Sequence, residues 1–213
     1  MVIRNHIYIG IGGDILKGVI LLRGQPVHTG HLKMIQTAID ECDEVLVILG
    51  SADKYYTERN PFTKELRLDM LEKGINSLSD CNKVSTMWLN DWSSDKNIPK
   101  QDNLNGVVDN PSDVNKEWGQ FLYYNIVRKL NCKEFIFYYS DDISLINAWF
   151  PDYIRTRITL KSLERFDDFS SSAVRKALLE LDMIYLNKAL NYLTNEQILK
   201  LSYCFKTKKE VFL

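Results

Sequence analysis

Two of the three histidines in the 213-residue chain, His28 and His31, fall within one tetrapeptide, His28-Thr29-Gly30-His31. Ahead of it lies the continuous apolar run Val19-Ile20-Leu21-Leu22, which has the pattern of a strand buried on both faces. From His31 onward Leu32, Ile35, Ala38, Ile39 and Cys42 recur at intervals of three and four, the period of an amphipathic helix. The tetrapeptide is therefore expected at a strand-to-helix turn. A helix start there presents N–H groups without intrahelical partners and a positive dipole end, which suits a phosphate. Gly30 removes a side chain where backbone must approach a ligand closely. Imidazoles three residues apart can both face that ligand as hydrogen-bond donors. The alternative is a pair of capping or surface histidines. Two histidines without a nearby carboxylate or cysteine are a poor ligand set, so no protein metal site is expected.

The elements that must position this turn alternate along the chain. Val45–Leu49 reads as a second buried strand closed by Gly50, and Leu66, Met70, Leu71, Ile75 and Leu78 mark a second helix. Val84–Leu89 is predicted as a third strand and Phe135–Tyr139 as a fourth, separated by a helix through Trp118, Leu122, Ile126, Val127 and Leu130. A short helix over Ile143–Phe150 precedes Pro151, and Ile154–Leu160 is predicted as a fifth strand. Val174–Leu181 opens a helical C-terminal part, 170–213, that continues through Ile198 and Leu201. Repeated β-α-β units require right-handed crossovers, hence a Rossmann-like α/β fold: an open parallel sheet with helices on both faces. Such sheets bind ligands at the carboxyl ends of their strands, where strand order reverses. One domain over 1–213 is expected, with Val2–Ile9 as an extra edge strand. Gly10-Ile11-Gly12-Gly13 lacks the third glycine of a dinucleotide loop, because position 15 is Ile15, and reads better as a hairpin turn. From Asp91 to Glu117 the sequence is rich in Asn, Asp, Ser and Pro with little periodicity, which predicts a long loop, either functional or a passive surface insertion.

Composition narrows the function classes. Lys+Arg 27 against Asp+Glu 28 gives a net charge of -1, so a generally basic nucleic-acid binder is not expected. Cys42, Cys81, Cys132 and Cys204 are widely spaced and form no CxxC pair, which fits a reducing cytoplasm rather than a disulfide framework or a zinc site. The apolar run Gly18–Leu22 is far short of the ~20 residues that span a bilayer, and no membrane partner is expected.

The segment Arg23-Gly24-Gln25-Pro26-Val27-His28-Thr29-Gly30-His31 resembles the HxGH signature of the nucleotidyltransferase superfamily. Its wording is most similar to the nicotinamide mononucleotide (NMN) adenylyltransferases of the archaeal type, which write G-R-F-Q-P-x-H-x-G-H. Two further blocks follow in the family's order. Thr57-Glu58-Arg59-Asn60-Pro61-Phe62-Thr63-Lys64-Glu65-Leu66-Arg67 resembles T-x-x-N-P-F-T-x-x-x-R, and Phe169-Ser170-Ser171-Ser172-Ala173-Val174-Arg175 resembles I-S-S-T-x-I-R. Departures are Leu22 in place of the usual Gly, Gly24 in place of Phe, Tyr55 and Tyr56 in place of small polar residues, and Ser172 in place of Thr. The glutamate-rich box of the Nudix hydrolase domain that some relatives carry is absent, and no hydrolase activity is expected.

The resemblance implies adenylyl transfer from ATP to NMN, giving NAD and pyrophosphate, with Mg2+ entering on ATP. Both reactants are anions, so catalysis depends on positioning and positive electrostatics rather than on a nucleophilic side chain. It assigns Arg23, His28, His31 and Arg175 to the triphosphate. Gln25, Gly30, Ser170, Ser171 and Ser172 complete the ATP side. Gly50, Ser51, Asn60 and Arg67 fall to NMN, with Arg67 at its phosphate, and the nicotinamide ring stacks on Trp118 or, failing that, Trp92. Against these stand plainer readings: a surface ion pair for Arg67 with Glu65, a simple N-cap for Ser170–Ser172, and core positions for the tryptophans. Adenylyl or cytidylyl transfer to another phosphorylated acceptor, such as nicotinate mononucleotide or pantetheine phosphate, and a non-catalytic nucleotide sensor stand as the alternative readings. The oligomeric state is left open, a homo-oligomer included.

Overall fold

A computed structural model describes residues 15–91, 111–140, 143–164, 169–209 and 211–213, with 111–115 and 145 described by backbone alone. Five parallel strands form one sheet: β1 (Lys17–Leu22), β2 (Glu44–Leu49), β3 (Val84–Trp88), β4 (Phe135–Tyr139) and β5 (Ile158–Ser162). Their spatial order is β3-β2-β1-β4-β5. The chain winds outward from β1 to β3, then returns to the other side of β1 for β4 and β5. Strand order therefore reverses between β1 and β4, which pair through Gly18–Ile136, Val19–Phe137 and Ile20–Tyr138.

Eight α-helices among the described residues cover the two faces: α1 (Thr29–Glu41), α2 (Lys64–Ile75), α3 (Pro111–Leu130), α4 (Ile143–Trp149), α5 (Asp152–Arg155), α6 (Ser171–Glu180), α7 (Met183–Ala189) and α8 (Asn195–Thr207). The central strands obey the two-residue period. Ile20, Leu22, Val45, Val47 and Leu49 face one core with α1, α2 and the C-terminal helices. Val19, Leu46 and Ile48 face the other with Leu122 and Ile126 of α3 and Phe150 after α4. Residues 19, 20 and 45–49 have no exposed surface at all, which is why these strands read as unbroken apolar runs. At ~25 cal/mol per Å2 of buried apolar area, this two-sided burial is the main stabilising term.

Two predicted boundaries are corrected. The loop expected over Asp91–Glu117 ends earlier, because α3 already begins at Pro111. Proline suits a helix's first turn, where its missing N–H has no partner to lose. The apolar period becomes visible only further on, which hid the first turns. The strand expected over Ile154–Leu160 is Ile158–Ser162, and Ile154 belongs to the single turn α5. Ile154 is fully buried, so its apolar character reports packing rather than a strand. The predicted edge strand Val2–Ile9, the turn Gly10–Gly13, positions 92–110 of the predicted loop and Trp92 lie outside the described residues. No helix among the described residues is long and apolar enough to cross a membrane.

Candidate active site

The carboxyl ends of β1, β2 and β4 open onto a cavity of about 690 Å3. That size falls in the range of small-molecule and cofactor sites. Its wall holds Arg23, Gln25, His28, Gly30 and His31 from the β1–α1 connection and Gly50 and Ser51 from the end of β2. Ser170, Ser171, Ser172 and Arg175 contribute from the start of α6, and Trp118 from α3. Twelve sequence positions expected at a site thus meet around one space. The switch in strand order creates that space, because the helices leaving β1 and β4 depart to opposite faces.

The turn itself is set by backbone geometry. Gly24 has φ +59°, and a Cβ there would stand 2.9 Å from Leu49 Cδ2, so both the backbone conformation and the close packing favour glycine. The Gly50 N–H donates to Leu22 O at 2.8 Å and ties the ends of β1 and β2 together. Gln25 is fully buried, and its amide is engaged on both sides by one residue: Nε2 donates to Phe62 O and the Phe62 N–H donates to Oε1, each at 3.0 Å. Its side chain therefore braces the Pro61-Phe62 segment, while the residue itself lies on the cavity wall.

His28 caps α1 with extended backbone, φ -146° and ψ 168°. The His28 N–H donates to Nδ1 of His31 at 3.2 Å. Nδ1 is thereby an acceptor, which leaves the ring proton of His31 on Nε2 as a donor. The two rings lie 3.8 Å apart between centroids, tilted by 31°. Burial pulls the His28 pKa down to about 4, and burial together with the neighbouring His28 holds His31 well below the usual histidine range. Both imidazoles are neutral at pH 7, so they offer directional N–H donors and little fixed charge. His28 Nδ1 is buried and has no hydrogen-bond partner among the described residues.

Positive charge comes from guanidinium groups. Arg175 donates from Nη1 to Gln25 O at 2.8 Å, and burial, then Arg23, then Arg59 lower its pKa from the usual value. Arg23, Arg59 and Arg175 all line the cavity, and Arg23 and Arg59 both repel Arg175, an arrangement that a polyanion would relieve. The start of α6 adds its own donors. Ser170 caps the helix, its hydroxyl accepting from the Ala173 N–H at 3.1 Å, and Ser171 Oγ donates to Pro26 O at 3.2 Å. Ser170 therefore does cap, yet all three serines also face the cavity.

Two expected acceptor-side residues sit elsewhere. Arg67 is fully buried and is absent from the cavity wall. Its Nη1 donates to Arg23 O at 2.8 Å and to Gly50 O at 2.9 Å, and its Nη2 to Ser51 O at 3.1 Å. The guanidinium thus fastens the exits of β1 and β2 to each other rather than facing a phosphate, and burial brings its pKa down to about 10. Asn60 is likewise off the wall; its N–H donates to Thr57 Oγ1 at 3.0 Å. Trp88 is 44% exposed and carries Lys64 Nζ 4.0 Å above its ring, away from the site.

Wall residues without a site role in the sequence reading include Arg59, Asp91, Trp149 and Glu164. Arg59 stands inside the Thr57–Arg67 block, but an exposed arginine between Glu58 and Asn60 reads as ordinary surface. Asp91 was legible only as the start of a polar segment. Its carboxylate accepts from Ser51 Oγ at 2.9 Å and its N–H donates to Asp53 Oδ1 at 2.8 Å. Trp149 ends a short helix with no motif around it. It meets Trp118 edge to face, with centroids 6.5 Å apart at 89°. Gly119 permits the approach, because a Cβ there would lie 1.7 Å from Trp149 O.

A nicotinamide-nucleotide adenylyltransferase of Thermococcus sibiricus is 43% identical over 65 residues, 28% of this chain and 35% of that protein. The counterpart of Pyrococcus furiosus is 41% identical over 59 residues, 28% and 31% of the two chains. The match thus spans about a third of the length of these relatives. Among solved structures, a bifunctional NMN adenylyltransferase/ADP ribose pyrophosphatase of Francisella tularensis superposes with TM-score 0.65 at 17% identity, over 92% of this chain and 51% of that one. A bifunctional enzyme of the same description and organism, complexed with AMP and a manganese ion, gives TM-score 0.58 at 15% identity, over 92% and 55%. At such identities these structures speak for the fold alone. The family model described as cytidylyltransferase-like matches residues 25–177, from Gln25 before the paired histidines to Ala177 past the α6 arginine, and the chain belongs to that family.

Proposed function

We propose that the protein is a nucleotidyltransferase that joins ATP and NMN to give NAD and pyrophosphate. The observation that carries this reading is the cavity at the strand-order switch, where two neutral imidazoles and the guanidinium groups of Arg23, Arg59 and Arg175 line one space. Cations with directional donors suit a polyphosphate undergoing in-line displacement. An oxygen of the NMN phosphate attacks the α-phosphorus of ATP. The bond from that phosphorus to the bridging oxygen breaks, and the electron pair leaves on pyrophosphate. His31 Nε2–H and the α1 start donate to the α-phosphate as its charge develops. Arg23, Arg175 and Ser170–Ser172 hold the departing phosphates.

The acceptor lies towards Gly50, Ser51 and Asp91, with the pyridinium ring against Trp118 and Trp149. A cation over an aromatic face gains roughly 0.5–2 kcal/mol. In this assignment Arg67 and Asn60 support the acceptor end without touching it. Residues 1–213 act as one nucleotidyltransferase unit whose C-terminal helices bear on the phosphate side. Mg2+ enters with ATP. The wall offers the carboxylates Asp91 and Glu164 to a hard cation, and its other polar groups match phosphate oxygens. When bound, the ion neutralises charge on the departing pyrophosphate.

The test is product analysis after incubation with ATP, a divalent ion and a panel of acceptors: NMN, nicotinate mononucleotide, pantetheine phosphate and glycerol phosphate. NAD and pyrophosphate from NMN are expected, with slower reaction of nicotinate mononucleotide. His31→Ala should lower turnover by ~10²–10³ while unfolding stays cooperative, since a preorganised donor to developing charge is lost. Turnover with pantetheine phosphate and none with NMN would overturn the pyridine-nucleotide reading.

A further inference from the structure

The loop that bears the paired histidines is held from outside the sheet. Three successive carbonyls each accept one bond from the C-terminal helices and their connections: Gln25 O from Arg175 at 2.8 Å, Pro26 O from Ser171 at 3.2 Å, and Val27 O from the Tyr192 hydroxyl at 3.0 Å. Thr29 Oγ1 lies 2.9 Å from both Lys188 O and Ala189 O and donates to that pair. Arg175 and Ser171 also line the cavity, whereas Tyr192 and Thr29 do not. The latter two act on the loop alone.

One peptide plane is decisive. Val27 O and the His28 N–H belong to the same rigid unit, with little freedom about the C–N bond. Tyr192 grips this unit at its oxygen, and Nδ1 of His31 accepts from its nitrogen at 3.2 Å. Any tilt of the plane that broke the Tyr192 bond would also swing the N–H away from His31. That N–H keeps Nδ1 of His31 unprotonated and so aims the Nε2 proton outward. We infer that Tyr192 is a positioning residue for His31: through the Val27–His28 peptide it fixes the orientation and tautomer of an imidazole it never touches. Burial raises the Tyr192 phenol above its usual range, so it remains a donor at every working pH. The inference rests on the proposed reaction only for its kinetic consequence.

The experiment compares wild type and Tyr192→Phe by the imidazole ¹⁵N resonances of His28 and His31 and by steady-state kinetics with ATP and NMN. In wild type His31 should show the pattern of a protonated Nε2 and a bare Nδ1. In Tyr192→Phe the two nitrogens should move towards each other as the tautomers mix. Turnover should fall roughly fivefold to tenfold, the weight of one ordinary hydrogen bond, with both Michaelis constants within about twofold. An unchanged His31 spectrum in a folded Tyr192→Phe protein overturns the inference. So does a change in Michaelis constants with turnover intact. If Tyr192→Phe does not fold, the wild-type spectrum decides by itself: a His31 that carries its proton on Nδ1, or shared between the two nitrogens, overturns the inference. Absence of NAD formation by wild type would defeat the proposed reaction, while the nitrogen spectra would still decide the role of Tyr192.

Discussion

The starts of α2 and α6 are built alike and do opposite things. Each opens on a hydroxyl cap: Thr63 accepts from the Leu66 N–H, Ser170 from the Ala173 N–H. Each places an arginine within the next turn and a half. Arg67 comes four residues after its cap and Arg175 five after its own. One residue on a helix is about 100° of rotation. That step separates a fully buried arginine on three carbonyls from a half-buried arginine on one carbonyl with the cavity before it. A motif letter therefore fixes the residue type; the rotation about the helix axis decides between scaffold and ligand contact.

The sharpest test of that contrast is Arg67→Met. The change strands the carbonyls of Arg23, Gly50 and Ser51, each costing about 1–3 kcal/mol when buried without a donor. A loss of roughly 4 kcal/mol is expected, which lowers Tm by about 8–16 °C for a chain of this size. Arg67→Lys should recover only part, since a single ammonium cannot reproduce the planar fork. Calorimetry checks this. A variant with wild-type Tm and only a raised KM for NMN would return Arg67 to the acceptor phosphate and erase the contrast.

The sequence disclosed the sheet and the site turn for a shared reason: both are local. Val19–Leu22 and Val45–Leu49 are apolar without interruption because they are buried on both faces, and His28–His31 interrupts a run that then turns helical. What stayed hidden depends on long-range geometry. Trp149 reaches Trp118 only because Gly119 lets the backbones of α3 and α4 touch. Arg67 matches its family block letter for letter, yet its direction follows from the packing of α2 against β2, which no spacing rule encodes. Ile154 misled because a buried single turn and a strand end both demand an apolar residue.

The paired histidines repeat the contrast between burial and exposure in their titration. His28 has a folded pKa of about 4 against 6.5 for a free side chain. The folded state resists protonation while the unfolded state accepts it. Stability is therefore flat above about pH 6.5 and falls as pH drops towards 4, below which both states carry the proton. The difference corresponds to on the order of 3 kcal/mol across that window. His28→Gln should reduce the wild-type slope of unfolding free energy between pH 6.5 and 4.5, leaving the part that His31 contributes, measured by urea titration at each pH. An identical slope in the variant would mean that His28 is not kept neutral by burial.

On the cavity side, Arg175→Ala removes one guanidinium and the bond to Gln25 O but strands a single carbonyl. We expect Tm to move by only about 2–4 °C, corresponding to roughly 1 kcal/mol. The KM for ATP should rise about tenfold, as one charged hydrogen bond to phosphate is worth about 1.5–3 kcal/mol. The pair of variants thus separates: Arg67 by stability, Arg175 by ATP. Similar losses of Tm in both would show that the rotation between them carries no functional distinction.

The smallest effect concerns the aromatic corner, where the same logic applies to two tryptophans. Trp118 and Trp149 both line the cavity, and their edge-to-face contact orients one ring by the other. Such pairs are worth about 0.5–1.5 kcal/mol beyond their buried area. Trp149→Phe keeps an aromatic edge but shortens it, so the Trp118 face should be held less firmly and NMN should bind roughly threefold more weakly, within that range. ATP should be unaffected, because its donors stand on β1–α1 and α6. Trp118→Leu removes the face itself and should weaken NMN more than Trp149→Phe does, again without a change for ATP. Titration of NMN followed by tryptophan fluorescence measures both. Should Trp149→Phe weaken ATP rather than NMN, the acceptor would belong at the opposite end of the cavity, and the assignment of α6 to phosphate and of α3 with α4 to the ring would have to be exchanged.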